Sequence, residues 1–420
     1  MRNRHSTIEN KMQSRINNSH TLSSYFPFVQ ALLLFLIVFL QPFMKLHVLY
    51  DSLLILALAF TAIMMIKKMF LWPSGNFLFI WAAYTLSVIL STIFSIDPRE
   101  SLKDGMVSEY MKQMIVTALI LASASSWPIK RKAVLWAFFL SGLAMSTIGF
   151  FPYFFGLFST GDSHNRLLSF SGSYTRLAYF YVFYVPFLLL LLPRASRKED
   201  TALYILLLLS LAATFFSKTR SGWICVPLTM IAACLLARKW KILGIIIAIF
   251  ILATAVLFVT SSDLRARALS FSEVKDWSGS FGQRKPLWQS AWSSIKDHPA
   301  IGAGYGKYIF RKISKQYPVP NAEEARSDTH NSFLEILVQR GILGLLTTFL
   351  VYVYFLKQAW RGAKRGSAWG KSYFAFFVAV SAGLALFSLV DNIYVKETGR
   401  YLWQIAAFGW FDASSDTHKK

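Results

Sequence analysis

The stretch that decides the fold class is 242–260, which reads ILGIIIAIFILATAVLFVT and contains no charged residue. A helix needs about 20 apolar residues to cross the hydrocarbon core of a bilayer, so this stretch alone predicts a transmembrane helix. Eleven further apolar segments lie on either side of it. The other predicted spans are approximately 26–44, 48–66, 77–95, 113–127, 133–155, 174–193, 201–217, 222–237, 338–357, 372–390 and 401–411.

The composition agrees with an all-α polytopic membrane protein of about 12 transmembrane helices. Of the 420 residues, 55% are hydrophobic and 15% are charged, whereas a soluble domain carries about 25% charged residues. These values exclude a disordered chain, a coiled coil and an ordinary soluble enzyme. The net charge of +23 is attributed mainly to cytoplasmic loops and anionic lipid, so we expect the bilayer and no nucleic acid as a partner.

Lysine and arginine counts give the orientation, because positive charge favours the cytoplasmic side. One set of loops holds 15 Lys or Arg and two acids. The loops between them are longer and hold nine Lys or Arg and seven acids. The basic set, predicted to be cytoplasmic, lies at 67–76, 128–132, 194–200, 238–241 and 361–371. The other set includes 96–112, and the long segment 261–331 is then extra-cytoplasmic by parity.

The segment 261–331 is rich in aromatic residues, which indicates order rather than a flexible linker. Within it, 286–298 is predicted to be a helix that begins near Pro286, because apolar residues recur on one face. An amphipathic helix with two tryptophans lies either in the membrane interface or on the protein's own helices, and both interpretations stand. The apolar face consists of Leu287, Trp288, Ala291, Trp292 and Ile295.

Three polar motifs border the predicted spans. Arg284 and Lys285 precede the predicted helix, whose N-terminus favours anions. Lys218 and Arg220 lie in a very short extra-cytoplasmic turn, against the usual charge bias. His330 stands at the membrane entry of the tenth span.

A run of alternating glycines, His-Pro-Ala-Ile-Gly-Ala-Gly-Tyr-Gly at 298–306, follows the predicted helix. Glycine permits close approach of the backbone to another group, and a tight turn is the simpler interpretation. No strand precedes this run, so it is not a dinucleotide-binding fingerprint.

Taken together, these motifs resemble those of the bacterial O-antigen ligases, the lipopolysaccharide ligases that share a domain with O-antigen polymerases. The resemblance rests on Lys218-Thr219-Arg220-Ser221-Gly222, on the stretch 284–306, and on His330-Asn331-Ser332-Phe333-Leu334-Glu335 with Gly341-Ile342-Leu343-Gly344 after it. It covers roughly 200–350, and elsewhere only the hydropathy agrees.

The loop charges predict that both termini lie in the cytoplasm. The resemblance implies a multi-pass protein of the bacterial inner membrane with the active site on the periplasmic face. The corresponding division is a cytoplasmic tail at 1–25, transmembrane helices one to nine at 26–260, one large periplasmic loop containing short helices at 261–331, helices ten to twelve at 332–412 and a cytoplasmic tail at 413–420.

The implied reaction is an inverting glycosyl transfer that uses no metal and no ATP. A glycan moves from undecaprenyl pyrophosphate to a sugar hydroxyl of lipid A–core. By motif match, His330 would correspond to the essential histidine, and Arg220 and Arg284 to pyrophosphate-binding arginines. Positioned arginines stabilise charge on a leaving pyrophosphate, and a neutral histidine can take the hydroxyl proton.

Four further residues are weaker candidates. Lys218 and Lys285 would add to the phosphate clamp, and Arg176 and Asp391 would support the site. No cofactor or metal is expected, because the chain contains neither Asp-X-Asp nor a phosphate-binding Gly-x-x-x-x-Gly-Lys-Ser/Thr motif.

Three alternative functions stay open. An O-antigen or exopolysaccharide polymerase uses the same donor chemistry, and a protein O-oligosaccharyltransferase usually carries a longer C-terminal part. A lipid transporter usually shows internal repeats and helices broken near the midplane. The chain shows no convincing repeat, and its informative residues cluster at one membrane face, which favours an enzyme.

Overall fold

The computed structural model describes residues 28–43, 46–67, 75–121, 127–150, 166–191, 197–260, 284–319 and 328–393, with single residues 26, 155, 262, 265, 400, 401 and 403. Regular structure in these ranges is helical. The helices are α1 (Phe28–Leu40), α2 (His47–Ile66), α3 (Gly75–Ile93), α4 (Pro98–Glu100), α5 (Lys112–Leu121), α6 (Trp127–Ser146), α7 (Tyr174–Leu190), α8 (Arg197–Phe216), α9 (Arg220–Leu236), α10 (Trp240–Thr260), α11 (Arg284–Asp297), α12 (Ile309–Gln316), α13 (Ser332–Lys364) and α14 (Ala368–Ser388).

These helices confirm a polytopic α-helical membrane protein. Helices lie on eleven of the twelve predicted spans, and the twelfth, 401–411, falls outside the described residues except for 401 and 403. Four described helices are long and apolar enough to cross a bilayer by themselves: α2, α3, α13 and α14. The number of twelve spans therefore stays a prediction.

The sequence-based interpretation of 96–112 as a loop is wrong, because helical structure runs from Pro98 to Leu121. The Asp97 carboxylate accepts a hydrogen bond from the backbone N–H of Glu100 at 3.0 Å and so caps the first turn. Pro98 occupies an initial helical position, where no N–H donor is required. The middle of this helical stretch, Ser101–Met111, is a π-helix. The pair Asp97-Pro98 was the signal for this helix, but its charged neighbours suggested a loop.

Helix α7 lies at the centre of the bundle. Every residue from Leu177 to Leu190 is buried, as expected for a helix that is apolar on all sides. It packs against α9 and α14, and α13 packs against α3 and α14. Buried tyrosine hydroxyls of α7 form hydrogen bonds inside the bundle. Tyr184, for example, donates to the carbonyl of Phe139 at 2.9 Å.

Several connecting segments meet at one end of the bundle, called the site end below. The Thr219 hydroxyl donates to the carbonyl of Tyr174 at 3.3 Å, which joins the starts of α7 and α9. His330, before α13, lies 3.3 Å from Asp391, after α14. These segments were assigned to one side of the membrane from charge alone. Their contact agrees with the predicted alternation of the spans between them.

Helix α13 is broken at Gly341, whose backbone angles are φ 59° and ψ −161°. A break leaves carbonyl and N–H groups without helical partners, which is tolerated at membrane depth only where protein satisfies them. The segment 299–304 does so on both sides of the break. Its four hydrogen bonds join Ala303 N to Val338 O at 2.7 Å, Gly304 N to Gln339 O at 3.2 Å, Ile342 N to Pro299 O at 2.9 Å and Leu343 N to Ala300 O at 3.1 Å.

The alternating glycines are explained by the same contact. Gly302, Gly304 and Gly306 all have positive φ, at 74°, 136° and 130°. A Cβ atom at Gly302 would lie 2.3 Å from the backbone of Gln339, so only glycine fits against the break. The close approach predicted for these glycines is therefore to the protein's own helices rather than to a ligand.

A buried arginine reinforces the break. Arg340 is 4% exposed and donates a hydrogen bond to the Thr348 hydroxyl at 2.7 Å. Its guanidinium also lies over the rings of Tyr84 and Tyr305, with its carbon 4.5 and 5.6 Å from their centroids. Tyr305 belongs to the glycine-rich segment, so this cation–π cluster joins that segment to α3 and α13.

Replacing Gly341 with alanine is expected to destabilise the fold. A backbone in this region is essentially restricted to glycine and costs other residues on the order of 1–3 kcal/mol. The new Cβ would also lie 2.4 Å from the carbonyl carbon of Ala300. The apparent Tm in detergent should therefore fall.

Gly244→Ala is the matched control, because nothing lies within 4 Å of a Cβ built there and the site is helical. It should be neutral or slightly stabilising, since alanine favours a helix by about 1 kcal/mol over glycine. Equal melting of the two variants would contradict the role assigned to the break.

Candidate functional site

His330 lies between two carboxylates at the site end. Its Nδ1 is 3.3 Å from the Asp391 Oδ1 and 3.4 Å from the Asp328 Oδ1. Carboxylates only accept hydrogen bonds, so Nδ1 carries the ring proton. In the neutral imidazole, Nε2 then holds the lone pair. The side chain is 29% exposed and so remains accessible.

The backbone around His330 is fixed on every side. His330 has φ 49°, a left-handed conformation, and its N–H donates to the Asp328 Oδ1 at 3.0 Å. The Asn331 side chain caps α13 by accepting from the N–H groups of Phe333 and Leu334, both at 3.0 Å. Rigid support of this kind holds a reactive side chain in one orientation.

Glu335 and Trp288 hold the residue before the histidine. The buried Glu335 carboxylate accepts from the N–H of Thr329 at 2.9 Å and from the Gln339 amide at 2.7 Å. The Trp288 indole N–H donates to the carbonyl of Thr329 at 3.0 Å. These bonds link the histidine segment to the break in α13 and to helix α11. This geometry gives Glu335 a structural role.

The surroundings of His330 raise its pKa above the ordinary value of 6.5. Burial opposes the charged form and lowers the pKa. The hydrogen bond to Asp391 and the charges of Asp328 and Asp391 raise the pKa and outweigh burial. The guanidinium of Arg284 acts in the opposite direction. Arg284 is therefore close enough for its charge to act on His330.

Arg220 and Lys218 lie at the site end on the turn between α8 and α9. Lys218 is buried and has φ 50°, and Arg220 is the first residue of α9. Helix α9 packs against α14, which leads into Asp391, and the start of α9 and the end of α14 both contact the first turns of α7. The structure thus places Arg220 and Asp391 at the same end of two neighbouring helices.

A pocket of about 310 Å³, called the cation pocket, opens among α2, α5 and α7. Lys112, Arg176 and Arg400 line it together with His47, and Asp51 is the one carboxylate among its described lining residues. Lys112 pairs with Asp51 at 2.6 Å. Cationic side chains therefore outnumber carboxylates among the lining residues that the structure describes, a composition that suits a multiply charged anion.

The cation pocket is connected to the histidine segment. Tyr179, three residues after Arg176 on α7, donates to the carbonyl of Ile393 at 3.4 Å. Ile393 in turn donates its N–H to the Ser332 hydroxyl at 2.8 Å, beside Asn331 and His330. These bonds join α7, which carries Arg176, to the segment 391–393 and to the start of α13.

Lys285 has a different position from the one predicted with Arg284. It lines an open groove beside Trp288 and Trp292 of α11. The neighbouring stripe of α11 packs on the protein, because Leu287 and Ala291 are buried with Ile309 and Phe310 of α12. Of the two interpretations of this amphipathic helix, the structure favours packing on the protein's own helices.

Sequence reasoning missed Asp328 as a second partner of His330 and missed Lys112 and Arg400 in the cation pocket. Asp328 stands two residues before the histidine, where a short turn brings a carboxylate back to the ring. Lys112 and Arg400 each stand just before a predicted span on the less basic side of the membrane, and this position was the available signal. Distances across the bundle were needed to group them.

Residues 205–349 match the sequence model of a family described as O-Antigen ligase. This range contains Arg220, Arg284, His330 and the break at Gly341. An uncharacterized protein of Haemophilus influenzae is 22% identical over 301 residues, which are 67% of this chain and 72% of that protein.

Two named relatives are equally distant. The O-antigen ligase of Salmonella typhimurium is 25% identical over 164 residues, which are 38% of this chain and 40% of that ligase. The exopolysaccharide production protein ExoQ of Rhizobium meliloti is 25% identical over 302 residues, 67% of this chain and 66% of ExoQ. The family match and these relatives confirm the resemblance read from the sequence: residues 205–349 are the part of this polytopic membrane protein that matches the O-antigen ligase family, within the O-antigen ligase and polymerase superfamily.

Proposed function

We propose that this chain is an O-antigen ligase that transfers a glycan from undecaprenyl pyrophosphate to a sugar hydroxyl of lipid A–core. The observation that carries the proposal is His330, whose Nδ1 contacts the carboxylates of both Asp328 and Asp391, in a bundle that also contains a pocket lined by cations. A histidine oriented by a carboxylate is suited to general base catalysis. An excess of cations is suited to a pyrophosphate leaving group.

The reaction is a single displacement with inversion. The acceptor hydroxyl oxygen attacks the anomeric carbon of the donor and forms a new C–O bond. The bond from that carbon to the pyrophosphate oxygen breaks, and the lipid pyrophosphate leaves with the electron pair. Nε2 of His330 takes the hydroxyl proton, and the two carboxylates stabilise the resulting imidazolium. No metal or ATP takes part in this proposal.

The leaving pyrophosphate is assigned to the cation pocket. Arg176 and Arg400 provide planar forks that match phosphate oxygens, with Lys112 as a third charge. Arg220, Lys218 and Arg284 approach from the same end of the bundle. Lys285 is not assigned to the pyrophosphate site, because it lines the groove beside α11.

The proposal includes the membrane topology. We infer twelve spans in the bacterial inner membrane, with both termini in the cytoplasm and the segment 261–331 as a large periplasmic loop. The contacts among segments at the site end support this alternation. A site on the periplasmic face would meet lipid-linked donor and acceptor in the same leaflet.

An exopolysaccharide or O-antigen polymerase is the second candidate. The similarity to the exopolysaccharide production protein ExoQ, over 67% of this chain, favours it specifically. A polymerase would use the same base and the same pyrophosphate site, but its acceptor would be a second lipid-linked glycan.

A transfer assay with purified protein tests both candidates. Undecaprenyl-pyrophosphate glycan and rough lipopolysaccharide are incubated with EDTA and without ATP, and a shift of the lipid A–core band on a gel is expected. His330→Ala should reduce the rate by about 10²–10⁴-fold, the usual contribution of a general base. His298→Ala, a second partly buried histidine of the same loop, is the control and should keep normal activity.

Lengthening of the lipid-linked glycan instead of a gel shift would replace the ligase by the polymerase. A fully active His330→Ala variant would remove the histidine from the mechanism in either case. Absence of both products from folded wild-type protein would count against glycosyl transfer altogether.

The pH dependence of transfer should reflect the raised pKa of His330. A base must be deprotonated, so kcat/KM should decline as pH falls, with a midpoint above 6.5. Asp391→Asn removes a carboxylate that raises this pKa and should move the midpoint to lower pH. Arg284→Gln removes a charge that lowers it and should move the midpoint to higher pH. Shifts in the same direction for both variants would contradict this electrostatic arrangement.

Arg176→Gln is expected to weaken donor binding. A hydrogen bond from a charged group is worth about 1.5–3 kcal/mol, which corresponds to roughly 10–100-fold in Kd. The inhibition constant of undecaprenyl pyrophosphate as a competitor should rise by this factor. Arg166→Gln is the matched control, because Arg166 stacks on Tyr174 at the same end of the bundle without lining the pocket. An unchanged inhibition constant for Arg176→Gln would exclude the pocket as the pyrophosphate site.

A further inference from the structure

The open groove beside α11 is separate from the cation pocket and is called the tryptophan groove. It has a volume of about 890 Å³ and runs between α11 and the segment after α12, ending at Leu334 in the first turn of α13. Sites for organic ligands commonly enclose roughly 300–1,000 Å³ and combine aromatic walls with a few polar groups. The groove has both features.

Aromatic side chains form its walls. Trp288 and Trp292 are four residues apart and so lie on one face of α11. Trp292 is 53% exposed, although Leu287 and Ala291 on the neighbouring stripe of the same helix are buried. Tyr317 faces them from beyond α12. Flat aromatic faces suit the apolar faces of sugar rings.

Polar side chains alternate with these aromatic surfaces. Gln289 and Gln316 line the groove and are exposed, so their amides can both donate to and accept from hydroxyl groups. Lys285 is the one charged side chain among its described lining residues. A single cation is a poor match for a pyrophosphate, whereas paired amides and aromatic rings match a neutral or weakly anionic saccharide.

Hydrogen bonds within the protein hold the walls of the groove in place. The Tyr317 hydroxyl donates to the Asp297 Oδ2 at 2.5 Å, which fixes one wall to the end of α11. The Trp288 indole N–H is held by the carbonyl of Thr329. Preformed walls avoid the entropic cost of ordering side chains when a ligand binds.

The bond from Trp288 to Thr329 places the groove beside His330. The segment 391–393 links His330 to α7, which carries Arg176 of the cation pocket, whereas Trp288 links the groove to the residue before His330. A base between two subsites separates the leaving group from the nucleophile. We propose that the tryptophan groove binds the acceptor saccharide and presents its hydroxyl to His330, an inference that rests on the proposed glycosyl transfer.

Trp292→Ala tests this assignment, since Trp292 is exposed and its loss should leave the fold intact. The KM for the acceptor should rise about five- to tenfold, with kcat and the donor KM changed less than about twofold, a size in line with the loss of one aromatic contact. Trp292→Phe should recover most of the affinity. Trp240→Ala is the matched control, because Trp240 is 62% exposed at the start of α10.

Binding of the delipidated acceptor saccharide, measured by calorimetry, provides a second readout that needs no turnover. Its Kd should rise in Trp292→Ala and in Gln289→Ala and stay unchanged in Trp240→Ala. If wild-type protein binds the saccharide but transfers nothing, the proposed reaction fails while the groove assignment stands.

Three results would overturn the assignment. A rise in the donor KM alone would indicate that the groove binds the donor glycan. Unchanged saccharide binding in both groove variants would show that the groove does not bind the acceptor saccharide. Weaker association of Trp292→Ala with lipid nanodiscs, without any kinetic change, would make Trp292 a membrane anchor.

Discussion

The exchange of backbone hydrogen bonds between the broken helix α13 and the segment 299–304 is the constraint on which the rest of the site depends. Gly341 interrupts the helix, and four loop groups complete the bonds that the interruption leaves open. Helix α11 ends at the start of this segment, and His330 stands at the start of α13. The positions of both the groove and the histidine are therefore set by one junction.

Charge is distributed unevenly around His330. Two carboxylates face its Nδ1, while the guanidinium of Arg284 and the lining of the cation pocket provide positive charge nearby. The carboxylates favour the imidazolium that a base becomes, and the cations favour a departing anion.

Much of this arrangement is predictable from the sequence, because the relevant physics is local. Hydropathy locates most helices, and a histidine and arginines at span boundaries stand out from apolar surroundings. The first half of the helix from Pro98 to Leu121 was not predicted, since its charged residues resemble those of a loop. Lys112 and Arg400 acquire their roles only through contacts across the bundle, which no spacing along the chain records, whereas Asp328 reaches His330 through a local turn. The contact of the alternating glycines with α13 could not be foreseen for the same reason.

The order of the junction along the chain has a consequence for biogenesis. The segment 299–304 leaves the ribosome before residues 338–343, so the groups that complete the broken helix are made before the break itself. During insertion, the first half of α13 acquires its missing hydrogen bonds from a segment already synthesised, rather than waiting for one still to come. Assembly of the site is thus tied to the delivery of that earlier segment to the correct membrane face.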